Sequence, residues 1–259
     1  MKLKWQQKDF DDDIEFILFH QRDNTPEFWR KPLFDAYPDL DYDYCWNKNI
    51  SEEQRSDYIT EQMKIQAKKR QKVIDVSIKK FQQIWDDNIA NKLNNAFSSA
   101  FDNDCSKILN KMKAEVGLNP ICPRNISDHS FHICYRFEPR WAISTALHEI
   151  THFVWFYLWK KHFRDNPDEY NSPNLKWLLS EIVVETIIRN SQIGEVSVQP
   201  KWIAYSYFYD MKIGGRLIFD TMREMYLDRK DIFDFMEKSF NWISANEPEL
   251  RKKIRDAEK

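Results

Sequence analysis

Between residues 130 and 137 apolar and polar side chains alternate, with Phe131, Ile133, Tyr135 and Phe137 on one side and Ser130, His132, Cys134 and Arg136 on the other. A period of two predicts a half-buried strand. Pro139 ends that pattern and suits the first turn of a helix, where its missing N–H costs nothing. From there a helix of about 25 residues is expected, through Phe163. It is apolar on nearly all sides (Trp141, Ile143, Ala146, Leu147, then Phe153 to Phe156), the profile of a buried helix. A second helix, equally apolar, is expected over 173–190.

Upstream the pattern is polar. Ser51 and Gln54 form a capping box, and a helix is expected from Ser51 toward Asn94. It carries the basic run 68–72, read as a solvated face. Residues 1–50 are broken by Pro26, Pro32 and Pro38, which predicts short helices over 11–20 and 26–29. Asp35, Asp39, Asp41 and Asp43 are spaced like calcium ligands, but the run lacks the glycine and terminal glutamate of an EF-hand and reads as a solvated loop. After Gly194 and Pro200 the stretch 203–210 suits either strand or helix. Two or three helices should close the chain, the last capped by Asn246 with Glu249.

Composition sharpens this picture. Aromatics reach 15% with only 4 glycines, which favours helices packed through large side chains. The expected class is α+β, predominantly helical with a small sheet. A net charge of −2 gives no general pull toward nucleic acid or anionic lipid. The apolar stretch 142–159 holds His148, Glu149 and His152, which would be costly in lipid, so no membrane span is expected. Cys45, Cys105, Cys122 and Cys134 are widely spaced singles and read as reduced thiols. With no apolar leader segment, a cytoplasmic setting is expected.

The chemistry lies in the two apolar helices. Residues 148–152 spell His-Glu-x-x-His. On a helix, His148 and His152 share one face a turn apart, a spacing that lets both imidazoles reach one Zn2+. Glu149 lies about 100° around the helix, placed to take a proton from a water at the metal. On the next helix Glu181 and Glu185 are again four apart in apolar surroundings. Buried carboxylates and buried histidines each need partners, and a shared metal answers both needs. One glutamate completes the ligand set and the other orients a ligand histidine.

His148, Glu149 and His152, followed by Glu181-x-x-x-Glu185, resemble the gluzincin (thermolysin-like) group of zinc metallopeptidases, over about residues 131–190. The resemblance implies a zincin-like core, with Glu181 as third ligand and Glu185 as support for His148. It also implies a substrate-binding edge strand at 130–137 and an inserted turn around 166–174. No third histidine follows at metzincin spacing, and His162 is read as a surface residue at the helix end. Tyr205, Tyr207, Tyr209 and Arg216 are candidate donors for a developing oxyanion, with Tyr207 named first.

The expected organisation is a helical region 1–115, serving as lid or partner-binding region, a catalytic core 116–190, and a helical region 191–259. The function expected is zinc-dependent hydrolysis of a peptide or protein substrate, with Glu149 as general base. The alternative is a non-catalytic zinc-binding protein acting as a protein-interaction module. Nucleic-acid binding by the basic helix is a distant third reading. Substrate identity and oligomeric state are not legible.

Overall fold

The computed structural model describes residues 2–164 and 166–258. The chain divides into two compact units that interleave along the sequence. One is built mainly from Lys4–Gln83 and Lys113–Ala142, and the other from Ile84–Met112 and Ile143–Ala257. This cuts the chain at other points than the three consecutive regions expected. The parallel sheet accounts for part of this: its first strand, near the N-terminus, pairs with a strand more than a hundred residues later, and that strand pairs in turn with Ser130–Cys134.

The first unit holds that sheet. Strands β1 (Lys4–Gln7), β2 (Lys113–Gly117), β3 (Arg124–Asn125) and β4 (Ser130–Cys134) lie in the order β1-β2-β4-β3. The β1–β2 and β2–β4 pairs are parallel, and β3 runs antiparallel to β4. Helices α1 (Phe10–Phe19), α2 (Glu27–Ala36), α3 (Tyr42–Cys45) and α4 (Glu52–Ile84) complete it. Asp9 caps α1 by accepting from the Asp11 and Asp12 N–H groups, and three aspartates fill its first turn, where the helix dipole favours them. Asp41, from the acidic run read as a loop, caps α3. Ser51 and Gln54 make the expected reciprocal capping box on α4. The regular helix stops at Ile84, earlier than expected, in a π-turn over Trp85–Ile89.

Strand β4 differs from its expectation in two ways. All five residues are buried, including the polar set Ser130, His132 and Cys134. It is also interior to the sheet: β3 covers its outer side, and the His132 N–H donates to the Pro123 carbonyl at 2.9 Å. The alternation was real, but the polar side faces protein, with His132 set against Asp13 of α1.

The second unit is helical: α5 (Leu93–Ala100), α6 (Ser106–Leu109), most of α7 (Pro139–Phe163), α8 (Leu175–Arg189), α9 (Ile193–Val196), α10 (Ile218–Leu227) and α11 (Ile232–Ala257). A two-stranded ribbon, β5 (Lys212–Ile213) with β6 (Arg216–Leu217), turns through Gly214 and Gly215, both at positive φ where a side chain would be strained. Helix α7 starts at Pro139 and ends at Phe163 as the pattern requires, and Lys160, Lys161 and His162 suit its C-terminal dipole. Residues 203–210 contain a 3-10 turn, Ser206–Phe208, rather than strand or regular helix. The expected cap at Asn246 is absent: α11 runs through it, and the Asn246 side-chain amide donates to the Trp242 carbonyl one turn back.

The core of this unit centres on α8, which packs against α10 and α11, and on the buried apolar side chains of α7. Every residue from Leu178 to Ile188 is buried. Each large apolar side chain so enclosed contributes about 1.5–3 kcal/mol. Trp155 and Trp159 of α7 meet Phe235 and Phe240 of α11 at steep ring angles. Against that background, ionisable groups on α7 and α8 stand out. No helix among the described residues is long and apolar enough to cross a membrane.

Candidate metal centre

Helix geometry brings His148 and His152 together from one face of α7, and α8 supplies Glu181 opposite them. The His148 Nε2 and His152 Nε2 atoms are 3.0 Å apart. Glu181 Oε2 lies 3.8 Å from the first and 3.6 Å from the second. Two atoms that each hold a tetrahedral zinc at about 2.1 Å stand about 3.4 Å apart, close to all three separations. A triangle with these sides has a circumradius of about 2.0 Å, so one point lies at zinc–ligand distance from all three atoms at once. Among the described residues, His148, His152 and Glu181 form the one group of three such side chains whose donor atoms all fall within 4.8 Å of one another.

The surroundings are enclosed. His152 and Thr151 are fully enclosed, and Glu149 and Glu181 nearly so. His148 is the most open member, with 14% of its side chain exposed. Thr151 turns its hydroxyl back onto the Leu147 carbonyl at 2.7 Å, spending its polarity inside the helix. The His152 ring stacks near-parallel to Phe156, which stacks on Tyr170 of the 3-10 turn Pro167–Tyr170 between α7 and α8. That turn fills the insertion expected around 166–174. Its Tyr170 backs Phe156, the ring that faces His152.

Glu149 stands apart from the triad. Its Oε1 is 3.8 Å from His148 Nε2, as near to that nitrogen as Glu181 is. It is therefore beside the first histidine, yet not one of the mutually close donor set.

Glu185, the second carboxylate of α8, is buried and held elsewhere. Its Oε1 accepts from Arg189 Nε at 2.9 Å. Tyr209 also faces it: burial first, then the Glu185 charge, push the Tyr209 hydroxyl up to about 12. The same hydroxyl accepts from the Ile203 and Ala204 N–H groups. Arg189 donates on to the carbonyls of Pro200 and Lys201, and Ser144 of α7 bonds Gln199. Glu185 is thus the hub of a clamp on residues 200–204. The i, i+4 spacing of Glu185 and Arg189 is the sequence signal that would have shown it.

The remaining candidates are placed as follows. Tyr207 sits half-buried on the 3-10 turn Ser206–Phe208, stacked with Tyr205 at 5.6 Å. Arg216 is exposed and paired with Glu224. His162 lies at the exposed end of α7, stacked on Phe233 and 3.6 Å from Glu237. None of the four cysteines is joined in a disulfide.

No family model, curated protein or solved structure matches this chain.

Proposed function

We propose that the chain is a zinc-dependent metallopeptidase of gluzincin type, with His148, His152 and Glu181 as the ligands. The observation that carries this is the triangle of three donor atoms with a common point about 2.0 Å from each. Three protein donors, rather than the four of a structural zinc, leave a coordination position for chemistry. When bound, Zn2+ would supply Lewis acidity and lower the pKa of a coordinated water toward neutrality.

The chain's own residues supply the rest. Glu149, buried beside His148, takes the proton from the attacking water and returns it to the leaving amine. Glu181 brings the one negative charge to the ligand set. Glu185 keeps the 200–204 segment in place through Arg189 and Tyr209. Tyr209 is committed to that clamp, so Tyr207 is kept as the donor to the developing oxyanion.

Two measurements test the reading. The purified chain should bind about one equivalent of zinc, and uptake below about a tenth of an equivalent on titration would end the proposal. Glu149→Gln should retain the metal while lowering peptide hydrolysis by roughly 10²–10⁴-fold.

A second reading rests on the enclosure of the site, where only His148 has appreciable exposure. In it the zinc serves a non-catalytic protein-interaction module. Zinc binding without cleavage of any peptide library, and partner binding indifferent to Glu149→Gln, would favour that reading.

A further inference from the structure

Two turns beyond His152, helix α7 builds a different kind of surface. Trp159 and Phe163, one turn apart, lie with ring centroids 4.5 Å apart. Phe240 of α11 meets Trp159 edge-on at 5.5 Å and 72°. The three rings form a corner opening into a cavity of about 380 Å3, whose other walls are Glu169, Lys176, Glu237 and Asn241. That volume lies within the range of small-ligand sites.

The charges around it are unequal. Lys176 bonds Glu169 across the rim, and its ammonium stands 6.0 Å from the centroid of Phe240, with the side chain 12% exposed. Glu237, one turn before Phe240 on α11, is 60% exposed and has the His162 imidazole 3.6 Å away. Two carboxylates therefore face one ammonium, and the ring faces add their own negative potential. An anion would be repelled here. A neutral apolar ligand would gain contact area alone. A cation gains from both the rings and the carboxylate, and Lys176 already shows how a chain cation uses this corner.

We propose that the cavity binds an organic cation: an ammonium group carried by a small quaternary amine or by a basic side chain. Glu237 is its counter-ion, Phe163 and Phe240 are its π-walls, and Lys176 is the resident cation with which it competes. The inference uses neither zinc nor hydrolysis, so it stands or falls apart from the proposed activity.

The test titrates the full chain with choline chloride and, separately, with N-acetyl-lysine methylamide at constant ionic strength. The indole N–H resonance of Trp159, assigned through Trp159→Phe, reports binding. The control ligand is 3,3-dimethyl-1-butanol, the uncharged isostere of choline. A cationic probe should give a saturable shift with affinity about two- to fivefold tighter than the isostere. Lys176→Met, which removes the competing charge, should tighten it further, and the exposed Glu237→Gln should weaken it by a similar factor. The probe that binds better identifies the source of the ammonium group. Equal binding of the isostere, no saturation by either cation below about 0.1 M, or indifference to both substitutions would overturn the proposal.

Discussion

His132 and Asp13 in the sheet unit, and His148, His152 and Glu181 in the helical unit, are both histidine–carboxylate groups in buried surroundings. In the first, every bond leads to backbone. Asp13 accepts from the Leu118 and Asn119 N–H groups, His132 Nε2 meets the Asn119 carbonyl at 3.1 Å, and its Nδ1 lies 3.7 Å from Asp13. Gly117 leaves room for them, because a Cβ there would fall 2.3 Å from the Asp13 carboxylate. In the second, three donor atoms from three side chains point at one another around a shared centre. The difference teaches that burial of ionisable groups does not mark a metal site. A metal also needs donor atoms that converge on one point. The Asp13–His132 pair pins α1 to β2 and β4, whereas the triad has the geometry to share an ion.

The largest effect expected from this contrast separates the two glutamates of α8. Glu181→Ala should weaken zinc binding by at least about a hundredfold, and Glu185→Ala by less than about tenfold, in competition titrations with a chromogenic chelator. The reverse order would make Glu185 the ligand and dissolve the argument from convergence.

A second effect attacks the other cluster. Gly117→Ala should cost about 1–3 kcal/mol of unfolding free energy in urea while leaving zinc affinity unchanged. A zinc affinity that fell with it would show that the two clusters are coupled rather than distinct.

The smallest effect is a pH dependence. Burial holds His132 below its ordinary value of 6.5, against the opposing pull of Asp13. A histidine kept neutral in the folded state binds fewer protons than the unfolded chain does. Its contribution is therefore fully present above pH 6.5 and is lost as pH falls below that value through the folded pKa. Urea midpoints of the metal-free chain should decline from pH 7 to pH 5, and less so in His132→Gln. An equal decline in both would remove His132 as the cause.

What the sequence disclosed follows from which interactions are local. The span of α7, the capping box at Ser51 and the shared face of His148 and His152 depend on residues a few positions apart, and periodicity reports them directly. The preference for Glu181 over Glu185 came from resemblance, and the cluster of donor atoms supports the same choice. The pairing of β1 with β2 and the covering of β4 by β3 depend on chain closure over long distances, which no local pattern carries. That is why a fully enclosed strand read as half-buried. Asn246 failed for the opposite reason. Its capping signal was locally sound, but α11 buries Ile243 and Leu250 on either side of it, and that packing carries the helix straight through, Pro248 included.

The hold of Arg189 on the segment after α8 has a consequence for how the chain meets a protease. Arg189 donates to the Lys201 carbonyl, which is the very group a trypsin-like enzyme must attack to cut after that lysine. The neighbouring Val198 and Trp202 are largely exposed, so the stretch presents itself to solvent while its scissile carbonyl is withheld. Cleavage there must wait for the clamp to open, and its rate then counts how often it does so. Nicking after Lys201 is thus a clock for the Glu185–Arg189 contact, and Arg189→Met should speed it by more than the accompanying loss of global stability accounts for.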